Sequence, residues 1–558
     1  MKTGSRPNGG DLFIDILRKR GVSNIYCCPG TTEVSIIDAT VNCDDINFIL
    51  FPFEGSAVAA ADGHSRVTGK PQVAMLHANV GLANGICQIY SAKMSNSPVV
   101  VINVIKPRNI LAHGGITSTT DEQEMVKQYM KWDWLCLRSE ELAEDLNRAF
   151  QMAIKPPMGP TLLVIPQDVL EAPASEKSVY TFPRENVSYK IAPADEEIDR
   201  AAEILAESDF PLIIAGSGVG RENCIEQVKA LADLLGAGVS CDDRRSFYHN
   251  GYPTGESNFL GPYRTDIPAA EKADVILVLG TKLFVEFNAP GKPDIPEKTR
   301  LIHQHDDIAE IDKLYGAEVP LCGSTAETVN KLYSRLELLM KEKPGVAAAR
   351  RKVALELSAL RRKEVEAFLS KEAAKKPIRV STLVEHVSSF MDQKTTVVID
   401  TPTSDAHFID YLERPDRFSC YVHCHGGLGW GTGAALGVKW GNPGRRVICV
   451  VGDGSLLFGV QSLWVAFKYR VPVVFLVINN QRYAAVRKGL LNYKGNAVKS
   501  DTFPGTDISG IDYTGLARSF SVQAERVEAA EDLSAALDRA LNMGEPYLLE
   551  VMVDPDDF

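Results

Sequence analysis

The stretch from Val447 to Tyr483 constrains the fold of this chain more than any other. Five apolar residues lead into Gly452-Asp453-Gly454, which is typical of a buried strand that stops in a tight turn. Apolar residues at helical spacing follow, and Pro472 begins a second apolar run. The stretch therefore predicts a strand–helix–strand unit of an open parallel sheet, in which ligands bind at the carboxyl ends of the strands.

Polar residues stand at both strand ends of this unit. The carboxylate of Asp453, the amide of Asn480 and nearby backbone carbonyls are hard oxygen ligands, which Mg²⁺ prefers when it also binds phosphate. Glycines on both sides of Asp453 let the backbone approach a diphosphate, and the helix amino terminus after Ser455 favours its charge. Gly-Asp-Gly alone can also be a plain turn. Its pairing with Asn479-Asn480 one unit later is much more specific.

These two motifs resemble the signature of enzymes that use thiamine diphosphate (ThDP). The resemblance implies that ThDP and Mg²⁺ are the cofactors, with the metal on Asp453, Asn480 and the backbone carbonyl of Arg482. It also implies cofactor contacts from the same segments by Gly454, Ser455 and Tyr483.

Length and composition set broad limits. A chain of 558 residues predicts about three to four domains, and its formal charge of −12 with no long basic run argues against nucleic-acid binding. No apolar stretch is long enough to span a membrane. The 11 cysteines are scattered and mostly embedded in apolar runs, which is typical of reduced thiols in a cytoplasmic protein.

Predicted strands alternate with predicted helices along most of the chain, which favours an α/β fold with doubly wound parallel sheets. With the domain names of the family, we expect a pyrimidine-binding domain over 1–175 and a middle Rossmann-like domain over 193–340. A connecting helix over 341–377 and a diphosphate-binding domain over 378–558 complete the prediction of three doubly wound domains.

Glu54 stands directly before an Ala-rich, nearly uncharged helix. A carboxylate in such surroundings loses hydration and becomes a candidate proton carrier. Capping of the helix amino terminus by an acidic residue is the alternative from local sequence. In the family, a Glu just ahead of Ala-Asp-Gly binds the aminopyrimidine nitrogen of ThDP, so the resemblance implies that Glu54 is a catalytic residue and a cofactor contact.

His77 ends a predicted strand, and Ala78 to Gly85 is predicted to form a glycine-bearing turn. A lone His at a strand end is often a hydrogen-bonded structural residue. In benzoylformate decarboxylase and its relatives, a His at this point faces the substrate, so the resemblance implies proton transfer by His77. By family position, Cys28, Thr31 and Val486 are expected to line the same substrate pocket.

Two further segments of the last domain carry candidate cofactor contacts. Hydroxyl groups after a predicted strand, on Thr403 and Ser404, can bind phosphate or cap a helix. In His423-Cys424-His425 two imidazoles alone make a poor metal site. The following Gly426-Gly427-Leu428-Gly429 matches the family better, and implies that Leu428 wedges between the cofactor rings while the carbonyl of Gly426 accepts a hydrogen bond from the cofactor amino group.

The middle domain gives the least information. The segment Gly216 to Gly220 is similar to a dinucleotide-binding motif. Arg221 stands where the motif Gly-x-Gly-x-x-Gly has its last glycine, so a structural turn is favoured over a nucleotide-binding site. Acetolactate synthases carry FAD in the equivalent domain; here FAD is left open and is not favoured. Leu283 to Phe287 occupies the region where benzoylformate decarboxylases have a second active-site His.

The resemblance covers nearly the whole chain and implies decarboxylation of a 2-oxo acid to an aldehyde through an enamine, in a homodimer or homotetramer with shared active sites. A carboligase similar to acetolactate synthase, which joins the enamine to a second carbonyl compound, is the alternative. Lys488-Gly489 replaces an aromatic pair of the decarboxylase branch, which changes one pocket wall and argues against aryl specificity. A non-catalytic subunit with this fold predicts a broken motif, whereas Glu54, Asp453 and Asn480 are all present.

Overall fold

The computed structural model describes residues 7–174, 189–242, 246–285, 293–423 and 426–557. These residues form three six-stranded sheets, and the strand pairings described within them are parallel. The predicted α/β class with three doubly wound parallel sheets is therefore confirmed. The domain boundaries themselves stay predictions.

The first sheet is formed by β1 (Asn24–Cys28), β2 (Asn47–Leu50), β3 (Gln72–His77), β4 (Val99–Ile105), β5 (Trp132–Leu135) and β6 (Thr161–Pro166), in the order β2-β1-β3-β4-β6-β5. Alternate residues of a strand point to opposite faces, and both faces are covered here: Tyr26 packs into one apolar core, while Ile25 and Cys27 pack into another. The surrounding helices are α1 (Gly9–Lys19), α2 (Val34–Thr40), α3 (Glu54–Thr68), α4 (Ala78–Met94), α5 (Arg108–Leu111), α6 (Glu122–Val126), α7 (Leu142–Ile154) and α8 (Gln167–Glu171).

The middle sheet comprises β7 (Pro211–Ala215), β8 (Gly238–Cys241), β9 (Phe259–Pro262), β10 (Val275–Leu279), β11 (Arg300–His305) and β12 (Val319–Cys322). Its order, β12-β11-β10-β7-β8-β9, is that of a dinucleotide-binding fold, which agrees with the predicted Rossmann-like domain. Its helices are α9 (Asp195–Glu207), α10 (Ser217–Arg221), α11 (Ile225–Leu235), α12 (Pro268–Lys272) and α13 (Thr325–Lys341), and the long helix α14 (Val346–Ala373) follows within the predicted connecting segment.

The third sheet is formed by β13 (Thr395–Asp400), β14 (Cys420–Val422), β15 (Arg446–Gly452), β16 (Val473–Asn479), β17 (Gln523–Val527) and β18 (Tyr547–Met552). Its order, β14-β13-β15-β16-β18-β17, repeats that of the first sheet. Its helices are α15 (Val380–Ser388), α16 (Asp405–Tyr411), α17 (Trp430–Gly441), α18 (Asp453–Leu457), α19 (Ser462–Lys468), α20 (Ala484–Tyr493), α21 (Asn496–Lys499), α22 (Tyr513–Ser519) and α23 (Leu533–Asn542).

Helices α3 and α17 join the first and third sheets through direct backbone contact. A methyl group on Gly437 would lie 1.9 Å from the carbonyl oxygen of Ala60, and one on Gly63 would lie 2.2 Å from the carbonyl oxygen of Ala434. Only glycine fits at such distances, because any Cβ would overlap the facing backbone. The small residues that the sequence shows in both helices therefore set how close the two sheets lie.

A buried ion pair reinforces this contact. Arg66 binds both carboxylate oxygens of Asp62 at 2.8 and 2.9 Å, and both side chains are fully buried. The indole N–H of Trp430 donates to the same carboxylate at 2.6 Å, and Arg66 donates to the carbonyl of Val422 at 3.1 Å. Because every partner is hydrogen-bonded, the pair can lie in the interior and hold the first and third sheets in one arrangement.

One local prediction is wrong. Residues Ala78 to Gly85 do not form a turn; they are the first half of α4, which begins directly after His77. Ala78 turns the chain with φ 48°, and a methyl group on Gly85 would lie 2.8 Å from Leu76 Cδ1. The glycines that suggested a turn instead allow α4 to approach its neighbours closely.

The helix contact predicts a large effect of a single methyl group. Gly437→Ala should lower the free energy of unfolding by about 1–3 kcal/mol, although alanine favours an isolated helix by about 1 kcal/mol over glycine, because the helices must separate. The thermal unfolding midpoint of the purified protein measures the effect. Gly489→Ala in α20 is the matched control, since nothing lies within 4 Å of the added methyl, and it should unfold at the native temperature or higher. Equal midpoints for the two variants would contradict the proposed packing.

Candidate active site

The ends of β15 and β16 bring Asp453 and Asn480 to one edge of the third sheet. Gly452 pairs with Ile478 in the parallel register, so the residues that follow the two strands lie side by side. Asp453 is 5% exposed, and its two carboxylate oxygens accept backbone N–H bonds from Gly454 and Gln481, each at 2.7 Å. The strand–helix–strand unit predicted from the sequence therefore exists and holds this carboxylate in one orientation.

The two asparagines after β16 have different partners. Asn479 donates to the buried carboxylate of Glu550 at 2.7 Å, which anchors it to β18. Asn480 accepts the backbone N–H of Arg482 at 3.0 Å through its side-chain oxygen. The backbone turns sharply after Asn480, with Gln481 at φ 59°. Asn479 also accepts the backbone N–H of Gln481 at 3.0 Å, so the side-chain oxygens of both asparagines lie at the turn.

Tyr483 closes the same turn. A methyl group on Gly454 would lie 2.5 Å from the Tyr483 ring, so the close approach of ring and backbone requires glycine at this position. The backbone N–H of Tyr483 donates to the carbonyl of Thr506 at 2.8 Å, and Ser455 is buried beneath the turn. Gly454, Ser455 and Tyr483 therefore lie together beside Asp453, as their predicted shared role requires.

The donor set at this edge fits a divalent cation. Burial raises the pKa of Asp453 to about 6, and the groups that oppose this rise are backbone N–H groups, chiefly those of Gly454 and Gln481. A buried carboxylate beside an amide oxygen, held by backbone donors, is a set of oxygen ligands suited to Mg²⁺.

The other predicted cofactor contacts of the third sheet lie at the same edge. Thr403 and Ser404 follow β13, which pairs with β15, and Ser404 is buried at the start of α16 without a capping hydrogen bond from its side chain. Gly426 has φ 78°, and no atom of the described residues lies within 4 Å of a methyl group placed on it. Leu428 precedes α17. The carbonyl of Leu428 accepts from Gln88 at 3.1 Å, which ties this segment to α4.

His423 belongs to the core of the third domain. Its ring stacks on Trp430, and its Nδ1 lies 3.5 Å from Oδ1 of the buried Asp400. Burial lowers the pKa of His423 to about 3, so the ring is neutral. Cys424 and His425 lie outside the described residues. Within the described ranges, no group of three or more His, Cys, Asp and Glu side chains could hold a metal ion.

Glu54 is the first residue of α3, at the corresponding edge of the first sheet, and is 8% exposed. The N-cap position of α3 is held by Phe53, and Oε2 of Glu54 accepts from the side-chain amide of Asn84 at 3.0 Å. Burial, together with the nearby Glu54 carboxylate, raises the pKa of the Cys28 thiol at the end of β1 to about 12. Cys28 is therefore a neutral thiol beside the predicted catalytic carboxylate.

His77 ends β3 at the same edge and contacts a second carboxylate. Its Nδ1 lies 3.2 Å from both oxygens of Glu33 and 3.0 Å from the hydroxyl of Thr32. Thr31, the predicted pocket residue beside them, is exposed, and so is half of Val486 on α20. The predicted site residues thus form two groups, one at the edge of the first sheet and one at the edge of the third.

Sequence reasoning missed Glu33 and Asn84. Glu33 stands three residues after Gly30. At this spacing one turn can bring the carboxylate close to the backbone N–H of Gly30, and this spacing was the only sign in the sequence of such a contact. Asn84 lies within the segment that was predicted as a turn. In the structure this segment is helical, and Asn84 lies one helical turn after Gly81, which also faces Glu54. The wrong prediction of a turn therefore hid this position.

The glycines of the middle domain have packing partners. A methyl group on Gly218 would lie 2.7 Å from Gly280 Cα, and one on Gly216 would lie 2.5 Å from Thr281 Cβ. The predicted turn is therefore wrong, because Ser217–Arg221 form the short helix α10. Its glycines allow close contact between the ends of β7 and β10. Leu283 and Phe284, where a second active-site His was expected, are buried, and residues 286 and 287 lie outside the described part of the chain.

Comparison with known proteins identifies the family. Three family models of thiamine pyrophosphate enzymes match the chain: the N-terminal TPP binding domain over residues 7–125, the central domain over 198–332 and the C-terminal TPP binding domain over 403–551. Together they match well over half of its length. The chain belongs to the thiamine pyrophosphate enzymes. Thiamine pyrophosphate is ThDP, so the family predicted from the Asp453 and Asn480 motifs is confirmed.

Curated thiamine pyrophosphate enzymes match nearly the whole chain at low identity. The benzoylformate decarboxylase of Pseudomonas aeruginosa is 28% identical over 544 residues, which cover 96% of this chain and 97% of that protein. A probable acetolactate synthase large subunit of Methanocaldococcus jannaschii is 26% identical over 567 residues, covering 98% and 92%. The chain is thus a ThDP enzyme similar to both decarboxylases and acetolactate synthases.

Solved structures of thiamine pyrophosphate enzymes share the fold. A ThDP-dependent 4-hydroxybenzoylformate decarboxylase of Rhodococcus jostii RHA1 superposes with a TM-score of 0.85 at 24% identity, covering 99% of this chain and 100% of that one. The benzoylformate decarboxylase of Polynucleobacter necessarius gives 0.84 at 23% identity, covering 98% and 99%. In the described part of the chain, no helix is both long and apolar enough to cross a membrane.

The buried Asp400 generates a prediction about pH. Its Oδ2 accepts from the N–H groups of Gly429 and Gly431 at 3.0 Å each, and burial raises its pKa to about 6. Since an unfolded Asp titrates near pH 4, folding takes up a proton between about pH 4 and 6, and stability falls by about 3 kcal/mol as the pH rises through this window. Asp400→Asn keeps an accepting oxygen and removes the charge.

We therefore expect Asp400→Asn to unfold at a higher temperature than the native chain at pH 8, and the difference to disappear near pH 4. Thermal unfolding of both proteins across this range measures it. A difference between them that stays constant with pH would show that the native carboxyl group is not the source of the dependence.

Proposed function

We propose that this protein decarboxylates a 2-oxo acid to an aldehyde with ThDP and Mg²⁺. The observation that carries the proposal is the buried carboxylate of Asp453, held by two backbone N–H groups beside Asn480 at the edge where parallel sheets bind ligands. Similarity to a benzoylformate decarboxylase over 96% of the chain supports the choice of reaction.

In this proposal the third domain holds the diphosphate end of the cofactor. Asp453, Asn480 and the carbonyl of Arg482 bind Mg²⁺, which neutralises the diphosphate. Bound ThDP supplies the nucleophile that attacks the substrate carbonyl and the electron sink that lets CO₂ leave. The residues proposed to contact the cofactor from this domain are Thr403, Ser404, Gly426, Leu428, Gly454, Ser455 and Tyr483.

The first domain moves protons. Glu54 is placed to share a proton with the aminopyrimidine nitrogen of the cofactor, since its carboxylate is nearly buried and fixed through Oε2 by Asn84. His77 is the proposed group that exchanges a proton with the substrate, and its imidazole is 18% exposed at the strand end. Cys28, Thr31 and Val486 line the pocket in this proposal.

We also propose that two copies of the chain complete each site, in a homodimer or homotetramer. Glu54 and Asp453 lie at the edges of two different sheets, and the family resemblance places these motifs on opposite subunits. The ten cysteines in the described ranges are unpaired, which supports a cytoplasmic location.

A carboligase similar to acetolactate synthase is the second candidate. Lys488-Gly489 stands on α20 two residues after the half-exposed Val486, so this pocket wall lacks the aromatic pair of the decarboxylase branch. Such a wall leaves room for a second carbonyl substrate. A non-catalytic role is less supported, because Glu54, Asp453 and Asn480 are all in place. Flavin in the middle domain is not favoured.

Products distinguish these candidates. Purified protein with ThDP and Mg²⁺ should release CO₂ and benzaldehyde from benzoylformate, with little product from pyruvate. Both CO₂ and organic products are followed by chromatography after separate incubations. Acetolactate from pyruvate would instead favour the carboligase, and no CO₂ from any of a panel of 2-oxo acids would contradict both.

Substitution of Glu54 tests its role without a substrate. Glu54→Gln should slow the exchange of the C2 proton of bound ThDP by about 10²- to 10⁴-fold, the usual contribution of a positioned acid or base. Exchange is followed by quenched-flow NMR in heavy water. Binding of Mg²⁺ should be unchanged, because Asp453 and Asn480 lie on the third sheet. An unchanged exchange rate would remove Glu54 from the mechanism.

A further inference from the structure

A buried carboxylate lies directly behind His77. Glu33 is fully buried, although it stands in a loop before the seven-residue helix α2. Its Oε2 accepts the backbone N–H of Gly30 at 2.8 Å, and its Oε1 accepts the hydroxyl of Thr32 at 2.7 Å. Both oxygens also lie 3.2 Å from His77 Nδ1. Three groups, from Gly30, Thr32 and His77, thus converge on one carboxylate at the edge of the first sheet.

We propose that Glu33 is a positioning residue that holds His77 in the neutral tautomer with its proton on Nδ1. The ring then presents Nε2 as the nitrogen that exchanges a proton with the substrate. The tautomer is a property of the protein alone; only the catalytic consequence rests on the proposed function.

The chemistry of the acceptors fixes the tautomer. Carboxylate oxygens accept hydrogen bonds and cannot donate them, so the contact with Nδ1 is attractive only when Nδ1 carries the proton. The Thr32 hydroxyl can also accept from Nδ1, because its own proton is directed to Glu33 or to the carbonyl of Val104 at 2.9 Å. In the described part of the chain, the hydrogen bonds of this imidazole run through Nδ1. A carboxylate behind a catalytic imidazole fixes both its tautomer and its orientation.

The turn before α2 is shaped around the imidazole. A methyl group on Gly30 would lie 2.3 Å from His77 Nδ1, so any other residue at position 30 would push the ring out of its place. Thr32 is bonded to β4 through Val104, which ties the turn to the sheet beneath the ring. The residues around Gly30 thus form a cradle that fits one ring position.

The side chain of Glu33 contacts His77 and does not cap the helix that it precedes. It occupies the N-cap position of α2, where a side chain normally bonds to the first free N–H groups of the helix. Its side chain makes no such bond and turns to His77 instead. A purely structural carboxylate at this position would be expected to cap the helix, so the observed orientation favours a role that involves the imidazole.

The tautomer of His77 can be measured directly by NMR. Solid-state ¹⁵N NMR of protein labelled with [¹⁵N]histidine, at alkaline pH where imidazole is neutral, resolves Nδ1–H from Nε2–H rings. Subtraction of the His77→Asn spectrum isolates His77. We expect the Nδ1–H form without any cofactor or substrate. A ring that carries its proton on Nε2 would overturn the proposal, whatever reaction the enzyme performs.

Variants test the catalytic consequence. Glu33→Gln should lower kcat by about 100-fold, with KM changed much less, because a general acid or base in the wrong tautomer loses most of its contribution. If His77 delivers the proton that forms the aldehyde, the ratio of aldehyde to hydroxyketone product should fall as well. Glu372→Gln, which also alters a nearly buried, ion-paired carboxylate but far from the site, should change neither quantity.

A second variant tests the same positioning role independently, in case Glu33→Gln does not fold. Gly30→Ala leaves Glu33 intact and displaces the ring, so it should reproduce the loss of kcat and the shift in products. Native kcat and native product ratio in both folded variants would overturn the positioning role. A wild-type enzyme inactive towards every 2-oxo acid would refute the proposed function, while the NMR result would still decide the tautomer.

Discussion

The contact between helices α3 and α17 fixes the geometry on which the rest of the structure depends. Gly437 meets the carbonyl of Ala60 with no room for a side chain, and Gly63 meets Ala434 in the same way. Since Glu54 begins α3 and Leu428 lies two residues before the start of α17, this packing also sets the positions of two parts of the candidate site. The buried ion pair of Asp62 with Arg66 holds the same two helices through Trp430. Packing and electrostatics therefore act on one interface.

The chemistry follows from the repeated sheet topology. The first and third sheets have the same strand order, and each presents polar groups at the carboxyl ends of neighbouring strands. In the proposed function, one edge supplies oxygen ligands, Asp453 and Asn480, and the other supplies proton carriers, Glu54 and His77. Burial makes each group depend on a few specific partners: backbone N–H groups for Asp453, Asn84 for Glu54, and Glu33 for His77.

The features that sequence predicted well are those with a strong local signature. A continuous apolar run that stops at Gly-Asp-Gly leaves few choices, so the strand, the turn and the place of Asp453 could be predicted. The start of α4 could not, because Gly81 and Gly85 suggest flexibility and only tertiary packing shows that they allow close approach to Glu54 and Leu76. Glu33 was missed for a related reason: its partner His77 is far away in the chain, and the contact exists only once β1 and β3 pair.

In the proposed function, Asp453 holds a metal ion through which the third domain binds the cofactor diphosphate. Calorimetric titration of ThDP into the purified protein, with Mg²⁺ or with a chelator, and into the Asp453→Asn variant measures this binding. We expect metal-dependent binding that the substitution weakens by about 100-fold or more, a loss of about 3 kcal/mol. Equally tight binding without Mg²⁺, or native affinity in the folded variant, would contradict it.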